Sequence, residues 1–228
     1  ACFVLLMKAR AYNPDIFSCG VQMNLYAVRE GAGISEDLLS FVANGDEQIK
    51  EDLHSILASL HGAAEYGSLL RMEPADFDRI FRRVSEIARQ ECEDLFSIAY
   101  RADTLKKLLP ILRQARAMAG KYAVVATNPP YLNRMNKRLK NYVNRHYRDY
   151  AGDLFSVFIY RSFDFCIPNG YCAFMSPFVW MFIKSYQKLR EYIVTNKSIS
   201  SLIQLEYSAF DEATVPICTF VLKNGPES

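Results

Sequence analysis

The sequence predicts an α/β fold, and three features of its pattern indicate it. From Lys121 onward, short apolar segments alternate with stretches whose apolar residues recur at helical spacing. Turn residues such as Pro168-Asn169-Gly170 separate these segments. The first half of the chain shows mostly helical spacing instead. Such an alternation is typical of a parallel or mixed sheet covered by helices on both faces.

The first residues predict one helix followed by one strand. Residues 1–11 carry an apolar stripe that is typical of a buried helix, with Asn13-Pro14 expected to end it. Residues 21–28 alternate apolar and polar side chains and therefore predict a strand.

A largely helical region is predicted next. Ser35 is a candidate N-cap, because acidic residues and an apolar stripe follow it. This helical stretch reaches residue 60 and is interrupted near Asn44-Gly45. Residues 75–119 are also predicted to be mostly helical, and Pro110 is expected to break or kink them.

The second half predicts strands and helices in turn. In chain order, these elements are a strand at 122–127, a helix at 153–166, a strand at 171–175, a helix at 182–195, and strands at 199–206 and 216–223.

Composition narrows the class of protein. With 228 residues, half of them apolar, the chain can form one large domain or two small ones. A net charge of +2 neither requires nor excludes nucleic acid. There is no signal peptide and no apolar stretch of about 18 residues, so no membrane contact is expected. Six widely spaced cysteines without a C-x-x-C pair predict a reduced cytoplasmic protein without a metal site.

The most informative feature is the tetrapeptide Asn128-Pro129-Pro130-Tyr131, which directly follows the predicted strand at 122–127. We refer to it as the NPPY loop (residues 128–131). Two prolines fix the backbone and remove two N–H donors, while the position before a proline disfavours helix. An amide, a free carbonyl and an aromatic ring are therefore expected side by side at the carboxyl end of a strand, where ligands bind in open α/β sheets.

The NPPY loop resembles the catalytic motif of amino-group S-adenosylmethionine methyltransferases, chiefly those acting on adenine N6 of DNA. This resemblance implies that the Asn128 side chain and the Pro129 carbonyl accept the two amino hydrogens, with Pro130 keeping the loop rigid. It also implies that Tyr131 stacks on a base flipped out of the duplex, with Phe210 as the second aromatic residue. An ordinary core position is the alternative for Phe210.

Further motifs follow in the order found in such enzymes. Asp153-Leu154-Phe155 with Phe158 resembles a D-L-[FY]-x-x-F element, and Pro168-Asn169-Gly170 a P-x-G turn before a strand. The resemblance implies that Asp153, Phe155 and Phe158 line the pocket for the cofactor S-adenosylmethionine or the base. Asp153 is also a candidate helix N-cap. Within residues 65–70, Gly67 and Ser68 are the implied contacts for the cofactor's adenine.

A basic stretch separates the NPPY loop from these motifs. It either forms a solvated face or holds DNA phosphates. Its candidate phosphate contacts are Arg134, Lys137, Arg138, Lys140 and Arg145.

Over nearly its whole length the chain is similar to the large adenine-specific methyltransferases of BREX phage-defence systems (PglX), relatives of type IIG restriction-modification enzymes. The segments that carry this similarity include residues 9–12, 65–70, 115–131, 180–182 and 188–190. The resemblance implies a Rossmann-like class I S-adenosylmethionine-dependent methyltransferase fold. The implied partners are double-stranded DNA and other defence proteins.

One departure from the family pattern is that neither the Gly-rich loop nor the ribose-binding acidic residue of the cofactor site is found. We therefore expect an internal portion of the catalytic domain, incomplete at its N-terminus. Residues 1–120 would hold its partial N-terminal part with a mostly helical insertion, and residues 121–228 its catalytic half. The chain alone is expected to be inactive.

Two other functions stay open at the level of sequence. The same tetrapeptide occurs in methyltransferases that modify RNA or protein glutamine. Without the cofactor loop, a non-catalytic DNA-binding or assembly module is the other alternative.

Overall fold

The computed structural model describes residues 2–21, 24–91, 94–205 and 216–226, with only the backbone described at residue 2. The described part contains a helical layer followed by a sheet flanked by helices. The predicted α/β class is therefore confirmed.

The sheet contains four strands among the described residues. They are β1 (Tyr122–Thr127), β2 (Cys166–Pro177), β3 (Ser198–Gln204) and β4 (Ile217–Lys223), in the spatial order β1-β2-β4-β3. β1 and β2 are parallel, whereas β4 is antiparallel to both β2 and β3. β1 lies at one edge, where Val124 is 63% exposed.

β2 is longer than its predicted range of 171–175, because the expected turn forms a bulge inside the strand. The register with β1 jumps from Tyr122–Cys166 to Val124–Tyr171. Within the bulge, Asn169 adopts a left-handed conformation with φ of 61°. A Cβ at Gly170 would lie 2.7 Å from the Ala123 carbonyl oxygen, so only glycine fits against β1 there.

Helices of the second half pack on this sheet and contribute to its core. They are α9 (Leu154–Phe165) and α10 (Gln187–Asn196) in our numbering, whereas α8 (Lys137–His146) packs against α9 away from the sheet core. Phe155 and Ile159 of α9 join Leu189 of α10 in a buried cluster with residues of β2 and β4, including Phe174 and Phe220.

The first half forms a separate helical core. The helices of the first half are α1 (Cys2–Arg10), α2 (Glu36–Ala43), α3 (Glu47–Ser59), α4 (Ala63–Tyr66), α5 (Phe77–Arg89), α6 (Leu95–Asp103) and α7 (Leu109–Ala119), and all except α1 contribute side chains to this core. Ser35 caps α2 by accepting from Leu38 N–H at 3.3 Å, as predicted. The predicted break is also confirmed, because Asn44 takes a left-handed conformation with φ of 50°.

Pro110 produces a local widening of the helix. Residues Thr104–Leu108 form a π-helical turn, and Pro110 then lies in the first turn of α7. A proline lacks the N–H that an α-helical interior requires, and a wider turn upstream accommodates this. The predicted disturbance at Pro110 is therefore confirmed.

Two expectations for the first residues are wrong. The predicted strand at 21–28 does not form, because residue 21 and residues 24–28, which the structure describes, have no regular secondary structure. They are followed by Arg29, whose backbone N–H and carbonyl both bond the Gln114 side chain of α7 (2.9 and 2.6 Å). α1 forms as predicted but is not buried, since Phe3 is 74% and Val4 66% exposed. Its main contact is the short 3-10 helix Pro14–Phe17.

α9 also connects the sheet to the helical layer. A third buried cluster contains Leu154 and Val157 of α9, Leu139 and Val143 of α8, and Leu69. Leu69 belongs to the 3-10 turn Gly67–Leu69 that follows α4. No helix within the described ranges is long and apolar enough to cross a lipid bilayer.

Candidate active site

The NPPY loop leaves the carboxyl end of β1 and runs along the surface. Asn128 and Pro130 are exposed, Tyr131 is 39% exposed, and Pro129 is buried. The buried proline anchors the loop, while the neighbouring amide and aromatic ring remain accessible. This end of β1 is where the sequence predicted a ligand site.

Asn128 and Tyr131 are joined by a hydrogen bond. The Tyr131 hydroxyl donates to the Asn128 side-chain oxygen at 3.1 Å. Burial raises the pKa of Tyr131, so its hydroxyl stays protonated at neutral pH and can donate. An amide oxygen has two acceptor positions, so Asn128 can accept a second hydrogen from a ligand.

The Pro129 carbonyl is also available as an acceptor. No N–H or O–H group of the described residues donates to it. The loop therefore presents two acceptors, the Asn128 amide oxygen and the Pro129 carbonyl oxygen, beside an aromatic ring. A primary amino group attached to a flat ring fits this arrangement.

The Tyr131 ring is supported by aromatic residues from later elements. Its centroid lies 6.3 Å from that of Phe155 of α9, with the two rings nearly perpendicular at 86°. Phe155 in turn lies 5.3 Å from Tyr186, and both are almost fully buried. This packing supports the Tyr131 ring on one side and leaves part of it exposed.

Asp153 caps α9, as predicted. Its Oδ1 accepts from the Phe155 N–H at 3.2 Å, and the same oxygen accepts from the Leu132 N–H at 2.8 Å. A direct contact between Asp153 and the cofactor stays a prediction. Phe155 is 1% exposed and Phe158 half-buried against the third cluster, so neither ring presents a free face in this conformation.

Gly67 and Ser68 lie in a segment that α8 and α9 hold in place. Arg161 of α9 donates to the Ser68 carbonyl at 3.3 Å and to the Leu70 carbonyl at 2.7 Å. The hydroxyl of Tyr147, which follows α8, donates to the Leu69 carbonyl at 2.7 Å. The structure therefore brings residues 67–70 against the helices that follow the NPPY loop.

The predicted basic stretch forms the exposed face of α8 and the loop before it. Leu139 and Val143 bury the opposite face of the helix. None of the predicted basic residues forms a salt bridge with a described residue. The exposed set comprises Arg134, Lys137, Arg138, Lys140 and Arg145.

The predicted second aromatic residue, Phe210, lies outside the described residues. The residues on either side of residues 206–215 are anchored close to one another. Leu205 N–H donates to the Ile217 carbonyl at 3.0 Å, and the Pro216 carbonyl accepts from Phe178 N–H at 3.2 Å. In the part of the chain that the structure describes, no cluster of side chains has the composition of a metal site.

The sequence did not predict the buried residues that support the candidate site. Arg161 and Tyr186 had no assigned role, although both pack at the core of the arrangement. A signal for Arg161 was present, because the single basic residue of a helix with mostly apolar and aromatic residues requires partners if it is buried. Nothing local indicates Tyr186.

The chain matches one family model and is similar to two curated proteins. The family model described as "Eco57I restriction-modification methylase" matches residues 41–210. The chain is 27% identical to the adenine-specific methyltransferase BrxX of Escherichia coli O9:H4 (strain HS), over 98% of this chain and 20% of that protein. It is 28% identical to the adenine-specific methyltransferase PglX of Lacticaseibacillus casei (strain Zhang), over 92% of this chain and 18% of that protein.

The chain thus spans about a fifth of the length of these curated relatives. Among solved structures, it is similar to a Listeria monocytogenes protein described as a class I S-adenosylmethionine-dependent methyltransferase. That match has a TM-score of 0.40 and 14% identity, and covers 81% of this chain and 72% of the other.

Proposed function

Since this chain belongs to the Eco57I restriction-modification methylase family, we propose that it forms part of an enzyme that methylates adenine N6 in DNA. One observation carries the proposal: the Asn128 amide oxygen and the free Pro129 carbonyl lie beside the partly exposed Tyr131 ring. Two acceptors next to an aromatic face match the two hydrogens and the flat ring of adenine.

The chemistry of the amino group explains why these acceptors are needed. The lone pair of adenine N6 is delocalised into the ring, which makes the nitrogen a weak nucleophile. Accepting both hydrogens at fixed positions raises the electron density on nitrogen and favours a pyramidal geometry. Asn128 and Pro129 would supply this by positioning and preorganised dipoles, without a general base.

The target base must leave the duplex to reach these residues. Unstacking costs a few kcal/mol, and stacking on an aromatic side chain returns about 1–3 kcal/mol. The exposed part of Tyr131 offers such a face, and Phe210 is the proposed second one.

The cofactor in this proposal is S-adenosylmethionine, which supplies an electrophilic methyl group when bound. Of the predicted contact residues, Gly67 and Ser68 fit best. Apart from its two chain neighbours, no residue has a heavy atom within 4 Å of a Cβ placed on Gly67, and the Ser68 hydroxyl has no partner among the described residues. Phe155 and Phe158 would need to rearrange to contact a ligand.

The experiment that tests the proposed function offers different acceptors to the complete protein that carries this chain. Transfer of tritiated methyl groups from S-adenosylmethionine is measured with duplex DNA, RNA and a glutamine-containing protein acceptor. Label in N6-methyladenine of DNA is expected. Label only in RNA or in protein would favour the second enzymatic alternative, and no label in any acceptor would favour a binding module.

Tyr131 variants should separate stacking from hydrogen bonding. Tyr131→Ala is expected to lower kcat/KM for DNA by about 10- to 100-fold, because the stacking contact is lost. Tyr131→Phe keeps the ring and loses one hydrogen bond, worth about 1 kcal/mol, so a decrease of about fivefold is expected. A target base replaced by 2-aminopurine reports flipping by fluorescence. Equal activity of the alanine variant and the wild type would contradict a stacking role.

The exposed face of α8 is proposed to bind DNA phosphates. The triple variant Lys137→Ala, Arg138→Ala, Arg145→Ala should bind duplex DNA more weakly at every sequence. Because each phosphate contact contributes about 0.9 to the slope of log K against log salt, this slope should become less steep by two to three. Titration of labelled DNA at several salt concentrations measures it.

A matched control removes the same charge elsewhere. Arg82, Lys106 and Arg113 are exposed on helices of the first half and form no salt bridge with a described residue. Replacing these three by alanine should leave the slope unchanged. Equal effects of the two triple variants would show that net charge alone matters.

The biological setting is part of the same proposal. The two curated relatives named above, BrxX and PglX, are both described as adenine-specific methyltransferases. We place this chain in the cytoplasm, in BREX phage defence or restriction-modification, with other defence proteins as partners. We also propose that residues 121–228 form the catalytic half of the domain and residues 1–120 its partial N-terminal part.

A further inference from the structure

The Asp153 carboxylate links the NPPY loop to the helix that follows it. One oxygen accepts both the Leu132 N–H (2.8 Å) and the Phe155 N–H (3.2 Å). A second contact runs in the opposite direction, because Leu154 N–H donates to the Leu132 carbonyl at 3.1 Å. Both polar backbone groups of Leu132, the residue after Tyr131, are therefore bonded to the start of α9.

The start of α9 is itself held rigidly. Asp153 is 7% exposed, and its own carbonyl accepts from the Ser156 hydroxyl at 2.8 Å. The Tyr186 ring packs so closely over Gly152 that an added Cβ would lie 3.1 Å from it. Tyr186 also packs against Phe155. Any movement at Leu132 would have to break contacts to this fixed helix end.

We propose that Asp153 is a positioning residue for methyl transfer, an inference that rests on the proposed function. β1 holds the first end of the NPPY loop, and Asp153 holds the second. Two prolines stiffen the residues between these ends, so Asn128, Pro129 and Tyr131 keep one arrangement. Asp153 acts on the amino group only through this loop. Displacement of catalytic groups by about 1 Å can lower a rate by roughly 100-fold.

Three variants separate this role from helix capping and from direct cofactor binding. Asp153→Asn keeps an oxygen in the same place and should preserve both contacts. Asp153→Ser remains a good N-cap, but its oxygen lies one bond closer to the backbone and should not reach Leu132. Asp153→Ala loses the cap as well as the contact to Leu132. The serine variant therefore remains informative if the alanine variant fails to fold.

In the complete protein, kcat and the KM for S-adenosylmethionine are measured for each variant. Asp153→Asn is expected within about threefold of wild type, whereas Asp153→Ser should lose up to roughly 100-fold in kcat with unchanged KM for the cofactor. Hydrogen exchange at the Leu132 amide provides a readout that does not depend on activity. Exchange there should be faster in the serine variant and unchanged in the asparagine variant.

Defined results would overturn the proposal. Wild-type kcat in Asp153→Ser, or unchanged exchange at Leu132 in that variant, would exclude the positioning role. A raised KM for S-adenosylmethionine in Asp153→Asn would assign the carboxylate to the cofactor instead. Absence of methyl transfer by the wild-type protein would refute the proposed function, and accelerated exchange in the serine variant would then still demonstrate the link from Asp153 to the loop.

Discussion

Replacing Asn128 by alanine is expected to lower kcat for methyl transfer to DNA by about 100- to 1,000-fold. This is the usual loss when one preorganised polar group at the reacting atom is removed. The alanine side chain cannot accept an amino hydrogen, so only the Pro129 carbonyl would remain. Asn128 is exposed and outside regular structure, and the fold should therefore be unaffected. Incorporation of tritiated methyl groups into duplex DNA measures the effect.

Asn133→Ala is the matched control for this variant. Asn133 is also exposed, lies five residues further along the chain and makes no side-chain hydrogen bond with a described residue. Its replacement should leave kcat within about twofold of wild type, as expected for a surface substitution. Full activity of the Asn128 variant, or an equal loss in both, would contradict the assignment of Asn128.

Replacing Arg161 by alanine is expected to have the largest effect on stability. Its side chain is 4% exposed, pairs with Asp164 at 3.2 Å and bonds the Ser68 and Leu70 carbonyls. Removing it leaves these two carbonyls without their donor. We expect the free energy of unfolding to fall by about 3 kcal/mol. This is the lower end of the range for breaking a buried ion pair, because Asp164 is 35% exposed and also binds Arg71.

The chain itself provides a probe for this measurement. Trp180 is its single tryptophan and is buried in the sheet core, so its fluorescence reports unfolding in urea. The midpoint for Arg161→Ala should fall by roughly 1 M. Arg71→Ala is the control, because Arg71 pairs with the same carboxylate from a half-exposed position. This replacement should lower the free energy of unfolding by less than about 1 kcal/mol. Equal midpoints for the two variants would contradict the role of Arg161.

Local signals in the sequence predicted local structure well. The Ser35 and Asp153 caps, the break at Asn44 and the strand at 122–127 all follow from interactions within a few residues. Such signals depend on side-chain reach and allowed backbone angles, which one segment determines by itself. The NPPY loop was likewise identified from a short segment, four consecutive residues that directly follow the predicted strand at 122–127.

Features that depend on distant partners could not be predicted. Alternation at residues 21–28 indicates a strand only if another strand pairs with it, and the residue that follows, Arg29, instead bonds the Gln114 side chain of α7. The apolar stripe of α1 likewise indicates burial only where another surface covers it. In the site, the Asp153–Leu132 bond spans 21 residues and the Arg161–Ser68 bond 93. Sequence spacing does not encode such contacts.

The hydrogen bonds that flank residues 206–215 bear on how members of this family can differ in sequence. The chain leaves the sheet at Leu205 and returns at Ile217, and a backbone hydrogen bond joins these two residues. This hydrogen bond joins backbone atoms, so we expect sequence changes within residues 206–215 to leave the pairing of β3 with β4 intact.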